Sequence, residues 1–133
     1  MTVSGFMNLT VWQRAMELMK ESYGVAAGLP VSERYGLIDQ LRRSALSVPS
    51  NIAEGHARDS LGAYLHHLSI ASGSLAELQT LLLAAQGLGY VTPQQLARPL
   101  ALAHETTRML LALRTALRKR HRLRKGTSQF PES

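Results

Sequence analysis

The stretch Arg42-Arg43-Ser44-Ala45-Leu46-Ser47-Val48-Pro49-Ser50-Asn51-Ile52-Ala53-Glu54-Gly55-His56-Ala57-Arg58 decides the fold. It holds a proline, three serines and an asparagine, residue types that compete with helix. Leu41, Ala45, Val48 and Ile52 nevertheless keep an apolar stripe at i, i+4, i+7 and i+11 through it, so it reads as helix. Pro49 has no amide to give the Ala45 carbonyl, and its ring crowds that carbonyl, which predicts a kink. Ser44, Ser47 and Asn51 recur at i, i+3 and i+7 and share one face. A solvated face usually carries Lys and Glu; this one suits close packing and specific hydrogen bonds.

On either side of this segment the chain reads as helices separated by short turns. Asn8 or Thr10 can cap a first helix whose apolar face is Val11, Trp12, Ala15, Leu18, Met19 and Tyr23. Gly28-Leu29-Pro30 ends it, and Ser32, followed by Glu33 in the first turn, is placed to cap the second. Gly55 is that helix's stop. Asp59 or Ser60 opens a third helix carrying Leu61, Tyr64, Leu65, Leu68, Ser72, Leu75, Leu78 and Leu82. Gly87-Leu88-Gly89-Tyr90 has the form of a Schellman C-cap. Thr92-Pro93-Gln94-Gln95 is a capping box with proline at the first helical position. The fourth helix carries Leu96, Leu100, Ala103, Thr107, Leu110, Leu111, Leu113 and Leu117.

Four amphipathic helices with short connections predict an all-α, up-down-up-down antiparallel four-helix bundle over residues 9–117. Residues 1–8 are expected to be a flexible N-terminus and residues 118–133 a basic, disordered tail. Leu81, Leu83 and Leu102 lie off the main stripes, and this excess points to a second buried surface, most simply self-association.

At 133 residues the chain suits one domain. It is 45% apolar but only 5% aromatic, a balance that favours packed helices. The absence of cysteine excludes disulfides, thiolate metal sites and cysteine nucleophiles. No signal-peptide pattern opens the chain and no unbroken apolar run nears ~20 residues, so the expectation is a cytoplasmic protein without a membrane partner. The net charge of +6 is uneven: residues 118–133 contribute +5 and residues 1–117 contribute +1.

No catalytic, metal or cofactor constellation emerges. His66 and His67 are adjacent, so their side chains diverge by roughly 100° on a helix. No Glu-x-x-His pair, phosphate-cradling glycine loop or nucleophile elbow is present. Glu54 is the one carboxylate in an unusual setting; it is expected to pair with Arg43, Arg58 or a backbone amide rather than act as a general base. Trp12 and the methionines read as core. The Ser/Asn face is either a polar patch packed between helices or subunits, or a ligand site. The basic run Arg118, Lys119, Arg120, Arg122, Arg124 and Lys125 has two readings. It is a solvated helix end suited to the helix dipole, or it is a phosphate-binding element acting by counterion release.

Several of these residues also carry a family resemblance. Leu9-x-Val11-Trp12-x-x-Ala15, Glu33-Arg34-Tyr35-Gly36-Leu37 and Gln40-Leu41-Arg42-Arg43-Ser44-Ala45 resemble the "S23 ribosomal protein", or 23S rRNA intervening-sequence protein, family. The likeness continues through Ser47-Val48-Pro49-Ser50-Asn51-Ile52-Ala53-Glu54-Gly55, Ile70-Ala71-x-Gly73-Ser74-x-x-Glu77-Leu78-x-Thr80 and Leu88-Gly89-Tyr90, spanning residues 6–117. The resemblance implies small bacterial four-helix bundles with no catalytic residues to carry over. It extends to the accessory variability protein of diversity-generating retroelements, which implies a homopentameric barrel with a basic surface. It implies a structural or interfacial role for Arg42, Arg43, Ser47, Pro49, Asn51, Glu54 and Gly55.

The reading that joins these observations is a non-enzymatic, homopentameric helical bundle that binds RNA, DNA or a nucleic-acid-associated protein through basic surface charge. Arg118, Lys119, Arg120, Arg122, Arg124 and Lys125 would supply most contacts, with Arg42, Arg43 and Arg58 as weaker candidates. Ser44, Ser47, Pro49, Asn51, Glu54 and Gly55 would form the structural motif. The alternative is an interaction scaffold with a polypeptide partner and no nucleic-acid role.

Overall fold

The computed structural model describes residues 5–128, with the backbone alone for residues 126–128. Helix α1 spans Thr10–Ala27, α2 Asp39–His56, α3 Leu61–Gly87 and α4 Pro93–Ser128. Each packs on its two neighbours in a ring, α1 on α2 and α4, and α3 on α2 and α4. Ser47 meets Ser74 while Asn51 meets His67, so α3 runs back along α2. Arg14 meets Glu105 while Arg98 meets Glu21, so α4 runs back along α1. This is the antiparallel four-helix bundle that the periodicity predicts.

The core is the interior stripe of each helix. Leu18, Leu41, Val48, Ile52, Leu68, Leu75, Leu78, Leu82, Leu96 and Leu110 are fully buried. Burying one such side chain stabilises the fold by about 1.5–3 kcal/mol, and this burial sets which helical face points inward. The α3–α4 connection is built as its sequence implies. Gly89, at φ +81°, lets its amide reach Gln86 and the Tyr90 amide reach the Ala85 carbonyl, closing the Schellman turn. Thr92 and Gln95 then satisfy each other's backbone amides at 3.2 and 2.8 Å. Ser60 caps α3 by accepting from the Ala63 amide at 3.1 Å.

Elsewhere the helix starts differ from expectation. Helix α1 starts at Thr10 with Leu9, a residue without a capping side chain, at the N-cap position. A 3-10 turn, Gly5–Asn8, leads into it, and Phe6 packs edge-on against Trp12 at 5.2 Å. The Phe6 ring thus packs part of the expected flexible N-terminus against α1. Before α2 come a 3-10 turn at Val31–Glu33 and a wide π turn at Arg34–Ile38. Here Glu33, not Ser32, supplies the cap: its carboxylate accepts from the Leu37 amide and from the Tyr90 hydroxyl at 2.8 Å.

Two larger departures concern α3 and α4. Helix α4 continues to Ser128, so residues 118–128 are helix rather than a disordered tail. Arg, Lys and Leu are good helix formers, and lengthening an existing helix avoids the cost of a new nucleus. The rest of the expected tail, residues 129–133, lies outside the described residues, as does the part of the expected flexible N-terminus at residues 1–4. Helix α3 is long and apolar enough to cross a membrane, with mean hydropathy 1.3 over its most apolar stretch. Scattered Ser, Gly and His break its apolar runs without adding charge; Glu77 is its one acidic or basic residue apart from histidine. Its inner stripe, Leu68, Ala71, Leu75, Leu78, Leu82 and Ala85, is buried in the bundle.

Candidate functional site

The polar residues of the Arg42–Arg58 stretch form a seam between α2 and α3. Ser47 Oγ lies 2.6 Å from Ser74 Oγ. Asn51 Nδ2 donates to the Ser47 carbonyl at 2.9 Å and to Ser47 Oγ at 3.1 Å. Because a carbonyl only accepts, the amide nitrogen must face Ser47, which turns Asn51 Oδ1 toward His67 Nδ1 at 3.0 Å. That oxygen requires a proton on Nδ1, so the bond selects the His67 tautomer. Ser44 is buried and donates to the Leu41 carbonyl, so it belongs to its own helix rather than to the seam.

One turn further, Gly55 lets the two helices touch. A methyl group there would meet His67 Cβ and Tyr64 Cδ1 at 2.9 Å and the Tyr64 carbonyl at 3.2 Å. Gly55 is therefore a crossing point rather than a helix stop, and α2 continues to His56. Pro49 is buried inside α2, which runs through it as helix. Glu54 is exposed at the edge of the seam, 3.7 Å from His67 Nδ1. Its partner is thus His67 and not Arg43 or Arg58, since Arg43 pairs with Asp39 at 3.1 Å. Two bonds of the seam, Ser47–Ser74 and Asn51–His67, hold α2 to α3, and burial raises the pKa of Tyr64 beside it. The arrangement is that of a structural joint.

The cations divide sharply. On the α1–α4 face Arg14 bridges Glu17 and Glu105, each at 3.0 Å, and Arg98 bridges Glu17 and Glu21. Arg42 lies over the Tyr23 ring at 5.6 Å, near the C-terminus of α1. The Arg14 and Arg98 charges are thus matched by acids. From Thr106 through Pro131 the chain has no acidic residue. Among the described residues no ion pair involves Arg58, Arg108, Arg114, Arg118, Lys119, Arg120, Arg122 or Arg124.

Antiparallel packing then gathers these groups. A methyl group at Gly62 would touch His121 Cε1 at 3.7 Å, so α4 passes the start of α3 at His121. The seven residues from Arg122 to Ser128 rise about 10 Å beyond that point. Arg58, in the α2–α3 turn, shares this end of the bundle, whereas Arg42 and Arg43 belong to the other end of α2. Of the nine candidate cations, seven are thus brought together and two are not. No group of three or more His, Asp or Glu side chains among the described residues could hold a metal.

The 23S rRNA-intervening sequence protein family model matches residues 7–112. The chain belongs to this family. A crystal structure of a protein of unknown function from the S23 ribosomal protein family of Bacteroides thetaiotaomicron VPI-5482 superposes with a TM-score of 0.73. Identity is 20%, over 79% of this chain and 95% of that one, a likeness that shows the shared fold. A comparison with curated protein sequences finds no match. The family match ends at Ala112, so the 23S rRNA-intervening sequence protein fold includes the α2–α3 seam, while the cations from Arg114 onward lie beyond it.

Residue patterns alone miss several participants. Ser74 and His67 complete the seam, yet they stand 27 and 16 residues from their partners, and only the register of α2 on α3 joins them. Arg114 was legible in principle, since it lies one helical turn before Arg118. Of the three surplus leucines, Leu102 is buried and Leu81 packs on the core, which leaves Leu83 half-exposed.

Proposed function

We propose that this member of the 23S rRNA-intervening sequence protein family is a non-enzymatic helical-bundle protein that assembles with copies of itself, as a pentamer, and binds nucleic acid. Its grip is the C-terminal end of α4. The observation that supports this reading is the separation of charge. Acids pair with Arg14 and Arg98 on the α1–α4 face, while among the described residues Arg118, Lys119, Arg120, Arg122 and Arg124 project from one end without an acidic partner. Such a cluster attracts phosphate and releases counterions without reading base sequence. Placed on a ring of copies, several such ends would act multivalently.

Self-association is supported by α3. Its outer face exposes Ile70 and Leu83 beside Gly73 and Ala76, with Glu77 the only formal charge. The same apolar residues also favour a second reading, a scaffold that docks a polypeptide and uses no nucleic acid. Native mass spectrometry with and without a structured RNA separates the two. The expected species are five chains alone and five chains with RNA at low salt. A monomer, or an oligomer that never takes up RNA, contradicts the proposal.

A further inference from the structure

Arg114 has an environment unlike that of the other cations. Its Nη1 donates to Ser72 Oγ of α3 at 2.9 Å, and its Nε is buried with no hydrogen-bond partner among the described residues. Partial burial, and secondarily the charge of Arg118 one turn away, both lower its pKa, so the neighbourhood is unfavourable to the cation that must occupy it. Arginine has donors only, and Ser72 Oγ serves it as acceptor, which leaves the Ser72 hydroxyl proton as a further donor. Among the described residues no acceptor meets that proton. The pair therefore presents donors on both sides of the α3–α4 seam and lacks an acceptor.

There is open space beside Ser72. A cavity of about 90 Å³ adjoins Ser72, lined also by Leu75, Ala76, Gln79, Thr107 and Leu110. The Thr107 hydroxyl is committed to the Ala103 carbonyl and one Gln79 amide hydrogen to the Leu75 carbonyl, so Arg114, Ser72 and the second Gln79 hydrogen are the donors left at this seam. Arg114, Arg118 and Arg122 follow at one-turn intervals, about 6 Å of rise each, similar to the spacing of successive phosphates along a strand.

We propose that Arg114, held by Ser72 and reinforced by Arg118, is an oxyanion site that takes one phosphate of a nucleic-acid backbone lying along the basic face of α4. The backbone as source rests on the function proposed above, whereas the oxyanion chemistry rests on the donors alone.

The test follows the Nε–Hε resonance of Arg114 in the full-length protein by NMR. Inorganic phosphate is titrated at constant ionic strength against chloride, and a structured RNA is then added. The Arg114 signal should move saturably with both. Ser72→Ala should weaken phosphate binding about tenfold, the equivalent of one hydrogen bond to a charged group. Arg114→Lys, which keeps the charge but loses the fork, should abolish the saturable phosphate shift that the Ser72 backbone amide shows in the parent, with melting unchanged. Phosphate binding at Arg114 with no RNA binding supports the oxyanion site and assigns it a free phosphate, while removing the nucleic-acid reading. RNA that shifts Arg118–Arg124 but leaves Arg114 still, with Ser72→Ala without effect, overturns the site and keeps that reading. A response equal in phosphate and chloride also overturns it.

Discussion

Asn51 Oδ1 accepts from His67 Nδ1 across the α2–α3 interface at 3.0 Å while the same amide donates twice to Ser47. One side chain thus ties a serine of its own helix to a histidine of the next, and Ser47 in turn reaches Ser74. Small polar residues hold this position because each bond needs a short side chain between closely packed backbones.

Replacing Asn51 tests the joint. Asn51→Leu removes three hydrogen bonds and leaves His67 Nδ1 and the Ser47 hydroxyl half-buried beside an apolar group. The expected loss is about 1–3 kcal/mol in chemical denaturation. An unchanged unfolding midpoint would show that the seam contributes nothing to stability.

Two glycines should respond in opposite directions to alanine. Helix propensity favours Ala by about 1 kcal/mol at either position. At Gly55 the new methyl would sit 2.9 Å from His67 Cβ, which cannot move without displacing α3, and overpacking costs about 1–3 kcal/mol. Gly55→Ala should therefore destabilise. At Gly73 nothing lies within 4 Å, so Gly73→Ala should stabilise an isolated bundle by about 0.5–1 kcal/mol. If copies associate through α3, the same change should lower the native mass. Thermal melting and native mass, read together, check both expectations.

The Tyr90–Glu33 bond predicts a pH dependence. The hydrogen bond to Glu33, then partial burial and the carboxylate's charge, raise the Tyr90 pKa above its ordinary value near 10. A folded-state pKa raised above the unfolded one gives stability that is complete below about pH 10 and lost as pH climbs through the folded value. Tyr90→Phe should therefore melt lower than the parent at pH 8, with the gap closing at strongly alkaline pH. A gap that persists or widens there would contradict the assignment.

How much of this was legible in the residues follows from the range of the interactions. The Thr92–Gln95 box, the Gly89 turn and the Ser60 cap are complete within a few residues, so sequence shows them whole. The π turn at Arg34–Ile38 is not legible, because its cap, Glu33, is also held by Tyr90, 57 residues away. Leu102 and Leu81 looked surplus because a strict stripe underestimates the width of a bundle's inner face. The basic run looked disordered because its apolar periodicity fades, yet charge without Gly or Pro lengthens a helix as readily as it ends one. Of the candidate site, the identities of the cations were readable; their separation into matched and unmatched sets was not, since Arg14 and Arg98 find their acids on another helix.

The cations at the C-terminal end of α4 should grip nucleic acid, and fluorescence anisotropy with a labelled structured RNA tests this. The full-length protein is compared with a variant in which Arg118, Lys119, Arg120, Arg122, Arg124 and Lys125 are all changed to Gln. Glutamine preserves helix propensity, and helix content and native mass are checked alongside. The expected result is binding by the parent that weakens steeply with salt, the log–log slope falling by about 0.7–0.9 for each contact removed, and little binding by the variant. Equal binding by both proteins, or none by the parent at low salt, would contradict it.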